Sequence, residues 1–264
     1  MTERLYKVLD KDGQSCNGGD MRWSLPVKNA DGTWTPGEWM PPIQGELIPC
    51  KNGYHLCRAT DLLSWLNARI FVAEHRGDLV EAGDKVVVRE ARLLHECEQW
   101  NERTARLFAC WCVRHTPLAD GRTVWELLMD ERSKHAVEVA ERYAIGEASY
   151  KELAVIGTKG WAAAMAAAGD RAWALGSDPA GDAARSGDPV AVAEWVTAAV
   201  AAWAAAKAAA GDAVGGAAWD AARKAAGEAA WAAACDGTRE ASRNAAYTIA
   251  FTAQLEELQR IMDI

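Results

Sequence analysis

Alanine occupies 39 of the 90 positions from 161 to 250, and this stretch limits what the second half of the chain can become. Ala is the strongest helix former. It buries little apolar area, so helices made of it gain stability by close approach, with larger side chains filling the gaps. Trp supplies that filler: the chain has 13 Trp and only 3 Phe. Trp161, Trp173, Trp195, Trp203, Trp219 and Trp231 fall in the stretch. Spacings of 8 and 12 leave angular offsets of about 80° and 120° on a helix, a broad face and not a seam. These Trp read first as core. Trp195, Trp203, Trp219 and Trp231 are also candidates for an aromatic ligand groove, because Trp is enriched at binding hot spots. Gly-Asp recurs at Gly169-Asp170, Gly181-Asp182, Gly187-Asp188 and Gly211-Asp212. Gly suits a helix end and Asp the next N-cap. The punctuation predicts long helices over 150–168, 189–210, 213–234 and 239–262.

The first 98 residues are different in kind. They hold 15 acids and 12 bases, with Gly and Pro scattered through them. The boundary is placed near Glu96–Asn101. The expected fold is α+β: a small α+β domain over 1–98, with a metal as its candidate staple, then an all-α, Ala-rich helical bundle over 99–264. Tyr6-Lys7-Val8-Leu9 reads as a strand, followed by the turn pair Asp12-Gly13. Ile70–Glu74 and Lys85–Arg89 read as strands flanking a hairpin loop, Glu81–Asp84. Thr60 reads as N-cap of a helix over Asp61–Asn67. Five Pro and three Gly between 26 and 49 predict an irregular excursion. Asn101 is a candidate N-cap. Thr123/Glu126 and Ser149/Glu152 have capping-box spacing, and Gly146 stops a helix that runs to Tyr143. Cys110 and Cys112 point about 200° apart on a helix, a poor chelate expected to be half buried.

Charge and targeting exclude several classes. A net charge of −8 argues against general nucleic-acid binding, which needs clustered Lys and Arg. The opening residues carry no signal-peptide core. The longest apolar run, Ala198 to Ala206, is far short of a membrane span. The expected location is the cytoplasm, with the seven Cys as thiols or metal ligands. The oligomeric state stays open.

One segment could carry chemistry. Cys50-Lys51-Asn52-Gly53-Tyr54-His55-Leu56-Cys57 places two thiols and an imidazole within eight residues, and Cys16 precedes it. Cys16, Cys50, His55 and Cys57 form a candidate tetrahedral zinc set. The alternative is that Cys50 and Cys57 are small core residues and that His55 hydrogen-bonds locally. The order Gly-aromatic-His, short helix, then a strand ending in Glu74 also resembles the layout of ADP-ribosyltransferase-like folds. That resemblance implies His55 on the nicotinamide ribose of NAD and Glu74 or Glu90 polarising the acceptor. The alternative for both Glu is a solvated strand face.

The early Cys, Cys-x-x-Gly-aromatic-His-x-Cys and closing hairpin through Ala91-Arg92-Leu93-Leu94 resemble an uncharacterised bacterial and phage domain. Arg106-Leu107-Phe108-Ala109-Cys110-Trp111-Cys112 and Lys134-His135-Ala136 through Glu147-Ala148-Ser149, with the Ala-rich helices after them, resemble an immunity-protein-like helical family of actinobacteria and their phages. The second resemblance implies a helical interaction module in phage–host or toxin–immunity conflict. The leading expectation is therefore a non-catalytic protein that binds or sequesters a protein or small-molecule target. The alternatives are an NAD-using transferase centred on His55 and a sponge holding a small nucleotide ligand between helices.

Overall fold

The computed structural model describes residues 3–157 apart from 17, 119, 129 and 130, then positions 204, 223 and 225–227, and residues 240–264. The chain is α+β. It divides into two compact units, Met1–Asn101 with Gln259–Ile264, and Glu102–Leu258.

The first unit contains β1 (Leu5–Leu9), β2 (Val27–Lys28), β3 (Trp34–Thr35), β4 (Tyr54–Arg58), β5 (Arg69–Ala82) and β6 (Lys85–Glu96). β2 and β3 form a separate two-stranded ribbon. The other four close into an antiparallel barrel in the order β1-β4-β6-β5, with β1 paired to both β4 and β5. Alternate side chains along each strand point inward. Leu5, Leu9, Leu56, Phe71, Val86 and Val88 fill the interior, with Trp23 and Met40 packed on it. Each such side chain contributes about 1.5–3 kcal/mol when fully buried.

The β5–β6 hairpin has a two-residue loop, with Ala82 paired to Lys85. Gly83 takes φ 59 at the first loop position, which a type II′ turn requires. Both strands run well past their apolar cores, to 14 and 12 residues. The expected strands, Ile70–Glu74 and Lys85–Arg89, cover only part of them; His75-Arg76-Gly77-Asp78 has no apolar alternation. Cross-strand charge pairs hold this part instead: Glu74 opposes Arg92, and Arg76 opposes Glu90. Register shifts at Val72/Ala73 and Arg76/Leu79 bend the ribbon, as bulges do.

The Pro-rich excursion covers an edge. The N–H groups of Gly37, Met40 and Ile43 donate to the carbonyls of Leu93, Ala91 and Arg89 at 2.9, 2.9 and 3.0 Å. These alternate β6 carbonyls lie beyond the β4 pairing and would otherwise form an open sheet edge. The short helix differs from expectation. Ala59–Asp61 is a 3-10 turn that leads into α1 (Leu62–Trp65). Thr60 lies inside that turn, and Arg58 holds the N-cap position without a side-chain cap bond. The helix stops where Leu66 turns extended and fully buried, so core packing overrides helical continuation.

In the second unit every regular element among the described residues is helical: α2 (Glu102–His115), a 3-10 turn (Val124–Leu127), α3 (Glu131–Ala144), a helix described over 150–157, and the part up to Leu258 of a C-terminal helix (Glu240–Met262). The Thr123 box opens only the 3-10 turn, because Leu128 is extended and α3 starts afresh at Glu131. The Glu152 carboxylate accepts from the Ser149 N–H at 2.8 Å, and the Ser149 hydroxyl accepts from the Glu152 N–H at 3.2 Å, a reciprocal box. Gly146, at φ 82, closes α3 with Glu147 N–H donating to the Arg142 carbonyl at 2.7 Å, a Schellman closure. Cys110 and Cys112 are both fully buried, and not half buried. The buried face of α2 also takes in Ala105, Phe108, Ala109 and Val113, too broad for one cysteine to escape it. Arg114 grips Glu141 of α3 through two hydrogen bonds of 2.5 and 2.7 Å. The expected helices over 189–210 and 213–234 lie almost wholly outside the described residues.

A Cβ at Gly37 would stand 2.1 Å from the Ser24 carbonyl oxygen, so no other residue fits there. Gly37→Ala is expected to cost about 1–3 kcal/mol in denaturant unfolding, the usual range for overpacking. It should also remove amide-exchange protection at Met40 and Ile43 while leaving the β1–β5 amides protected.

Candidate functional site

The Cys50–Cys57 segment forms one wall of a cavity of about 490 Å³, and its residues take that shape for local reasons. Ile48 and Asn52 clasp the turn: Ile48 N–H donates to Asn52 O, and Asn52 N–H donates to Ile48 O, both at 2.8 Å. The Asn52 amide also donates to the carbonyls of Gln44 and Glu46 at 2.9 and 2.8 Å. Cys50, at the tip, adopts φ 63, a left-handed conformation uncommon outside Gly. Its N–H donates to His55 Nε2 at 2.8 Å. Gly53 takes φ 143, and a Cβ there would lie 2.2 Å from Val87 Cγ1 on β6, so Gly is required for the chain to pass that strand. Tyr54 then enters the barrel core with its hydroxyl donating to Pro41 O at 2.7 Å.

Three lysines and several aromatic rings line the cavity. Lys7 lies at the middle of β1, directly opposite Phe71 and in register with the inward-facing Leu5 and Leu9. Its Nζ donates to the His55 carbonyl oxygen at 3.1 Å and sits 5.0 Å from the Trp23 ring centroid. Among the described residues no carboxylate forms a salt bridge with Lys7. Burial lowers its pKa from 10.5 to about 8, against a smaller upward pull from the Cys16 and Cys57 thiols. Lys85 behaves oppositely. Burial pulls its pKa down, but the Asp84 carboxylate at 3.2 Å outweighs this and holds it above the ordinary value. Lys51 and Asp20 also line the cavity, with Trp23, Tyr54 and Trp65 as aromatic wall.

All four residues of the zinc set, Cys16, Cys50, His55 and Cys57, border this cavity, but their donor atoms do not fit a tetrahedral ion. His55 Nε2 already accepts the Cys50 N–H, so in the neutral ring the proton sits on Nδ1 and no lone pair is free. Burial, then the charges of Lys7 and Lys85, hold the His55 pKa below its ordinary value. Cys57 is buried, with its pKa pushed up to about 12 by desolvation, and its Sγ donates to the Tyr6 carbonyl at 3.6 Å. Cys16 Sγ donates to the Val8 carbonyl at 3.9 Å. Cys50 is exposed. Among the described residues no group of three or more His, Cys, Asp or Glu side chains is arranged around a metal position. The local-hydrogen-bond alternative describes His55, and the core alternative describes Cys57 but not Cys50.

Glu74 and Glu90 are not brought to His55. Glu74 pairs with Arg92, and Glu90 pairs with Arg76 at 2.5 Å. Both guanidiniums stack on Trp39, at 4.3 and 4.8 Å from its centroid, and neither Glu lines the cavity. Trp195, Trp203, Trp219 and Trp231 lie outside the described residues. The residue that sequence reasoning missed is Lys7. Its signal is a charged residue at the centre of an otherwise inward-facing Leu5-x-Lys7-x-Leu9 alternation.

Comparison with family models, with curated proteins and with solved structures finds no match. No helix among the described residues is long and apolar enough to cross a membrane.

Two outcomes are expected from this geometry. The displacement of Lys7 from 10.5 to about 8 sets an upper bound of roughly 3 kcal/mol on the cost of its buried charge. Below pH 8 both folded and unfolded chains carry that proton, so the cost is felt in full. Between pH 8 and 10.5 only the unfolded chain holds it, and stability rises with pH. Lys7→Met is therefore expected to be about 1–2 kcal/mol more stable than the parent at pH 7, after the lost hydrogen bond is subtracted. The gap should close as pH rises from 8 to 10.5, as read by urea unfolding of both proteins side by side. In the second test, elemental analysis of the purified protein is expected to find below about a tenth of an equivalent of zinc, and chelator should leave the unfolding midpoint unchanged.

Proposed function

We propose that the chain is a non-catalytic binding protein whose barrel unit holds a small anionic ligand with a planar, aromatic part. One observation carries the reading. In a chain of net charge −8, Lys7, Lys51 and Lys85 line an aromatic-walled cavity of about 490 Å³ with one acid, Asp20, among its described lining residues, and Lys85 is paired with Asp84 beside it. Small-molecule sites occupy roughly 300–1,000 Å³ and combine apolar walls with a few convergent polar groups. The part-buried Lys7 ammonium lacks a carboxylate salt bridge among the described residues, so an anion entering the cavity gains Coulomb energy without displacing a carboxylate. Trp23 and Trp65 give the cavity an aromatic wall beside Lys7 and Lys85. A small phosphate-bearing nucleotide meets these requirements. It would sit in the barrel, and not between the Trp-bearing helices that sequence alone suggested. The resemblance of residues 100–255 to the immunity-protein-like family supports sequestration in phage–host or toxin–immunity conflict as the setting.

Thermal-shift and calorimetric titration with inorganic pyrophosphate and with nucleoside monophosphates tests this. Binding to the folded state should raise the midpoint. Lys7→Met should weaken the affinity about 10- to 100-fold, the worth of one charge-assisted hydrogen bond. If both anions bind Lys7→Met as tightly as the parent, or bind neither protein, the reading fails.

A further inference from the structure

We infer that the cavity is a covalent site for a small anionic aldehyde or ketone, held as an imine on Lys7 Nζ. The inference rests on the ligand reading above and names the ligand's reactive group. Among the lysines lining the cavity, Lys7 alone has a part-buried amine without a carboxylate salt bridge among the described residues. Lys85 is tied to Asp84 at 3.2 Å and stacked over Trp65 at 4.8 Å. Lys51 is exposed. An amine attacks a carbonyl only when unprotonated, and desolvation with no neighbouring carboxylate favours that form. Burial lowering the Lys7 pKa to about 8 agrees with the geometry.

The surroundings suit the reaction. Donation of one N–H to the His55 carbonyl at 3.1 Å fixes the nitrogen and leaves its lone pair directed away from that oxygen. Trp23, buried and 5.0 Å from Nζ, supplies an apolar wall. Cys57 does not compete as a nucleophile, because its thiol is held protonated by burial and donates to Tyr6 O. Lys85, beside Asp84, and Lys51 line the same cavity as cationic side chains for the anionic group of the ligand.

The step balances without an oxidant or reductant. The Nζ lone pair forms a C–N bond to the carbonyl carbon, and the C=O π pair moves to oxygen. Both hydrogens of the neutral amine pass to that oxygen as the C–O bond breaks and C=N forms. One water leaves, and its return releases the ligand.

The probe is pyridoxal 5′-phosphate, an anionic aromatic aldehyde, added to the full-length protein, followed by borohydride reduction and peptide mapping by mass spectrometry. The reduced adduct is expected on Lys7 at a rate at least about tenfold above that of any other lysine. It should vanish in Lys7→Arg, a variant checked for native circular dichroism. Adducts spread over surface lysines with Lys7 no faster than the rest overturn the inference. Pyridoxine 5′-phosphate, which has no carbonyl to condense, separates the two levels. If it binds the parent and binds Lys7→Met less tightly while no Lys7 adduct forms, the imine is wrong and the anion site stands. If it does not bind and Lys7 is not labelled, both are wrong.

Discussion

Strand β1 is five residues long, yet both of its edges are paired, to β4 and to β5. That double pairing closes the barrel and fixes every inward position in the first unit. Register is unforgiving in a closed sheet, since a slip of one residue exchanges the two faces of a strand. Leu5 and Leu9 must face the interior, so residue 7 must as well, opposite Phe71. The amine at that position follows from closure. Its reach to the His55 carbonyl at 3.1 Å then ties the centre of β1 to β4, beside a two-residue ladder between those strands.

The segment with the strongest chemical signature in the sequence folds as a tightly hydrogen-bonded turn in the cavity wall. Cys50 accepts a left-handed backbone because its amide has a partner in His55 Nε2 at 2.8 Å. Gly53 lets the chain pass Val87, and Asn52 binds two carbonyls of the preceding loop. An imidazole used in this way is spent as an acceptor, and burial with two nearby ammonium groups holds its pKa below the ordinary value. The same bond that makes the turn occupies the Nε2 lone pair. What His55 gives the cavity is its backbone oxygen.

Legibility followed the kind of force at work. Strands β1, β5 and β6 were visible where apolar alternation is strong, as were the Gly146 stop and the two capping boxes, because each rests on a local rule. The polar half of the β5–β6 hairpin was invisible. It is held by charges that meet only across strands, Glu74 with Arg92 and Arg76 with Glu90. The excursion over 26–49 was legible as irregular but not as an edge cover, since its donors reach carbonyls some fifty residues away. Thr60 misled for the opposite reason: its local preference was overruled by the burial of Leu62, Leu63 and Leu66. In the candidate site, the aromatic–His–Cys wall was legible as a cluster. The lysine facing it was not, because nothing near residue 7 in sequence says that His55 stands opposite.

A lysine directed into so small a barrel is a local contradiction, and contradictions of this kind bear on function. Consistency across pattern, packing and charge is what specifies a fold, and departures from it concentrate at working sites. A Met at position 7 would keep the volume, remove the desolvation cost and lose one hydrogen bond, a trade that favours Met on stability alone. The other partly buried cations of the barrel unit show how the chain handles charge when only folding is at stake. Arg69 is forked onto Glu96 at 2.7 and 2.6 Å, Arg92 is paired with Glu74, and Lys85 with Asp84. Lys7 departs from that rule, in the wall of a cavity that no described side chain fills. Its cost of up to roughly 3 kcal/mol is offset in part by the His55 carbonyl and the Trp23 ring, and the proposed ligand would offset the rest.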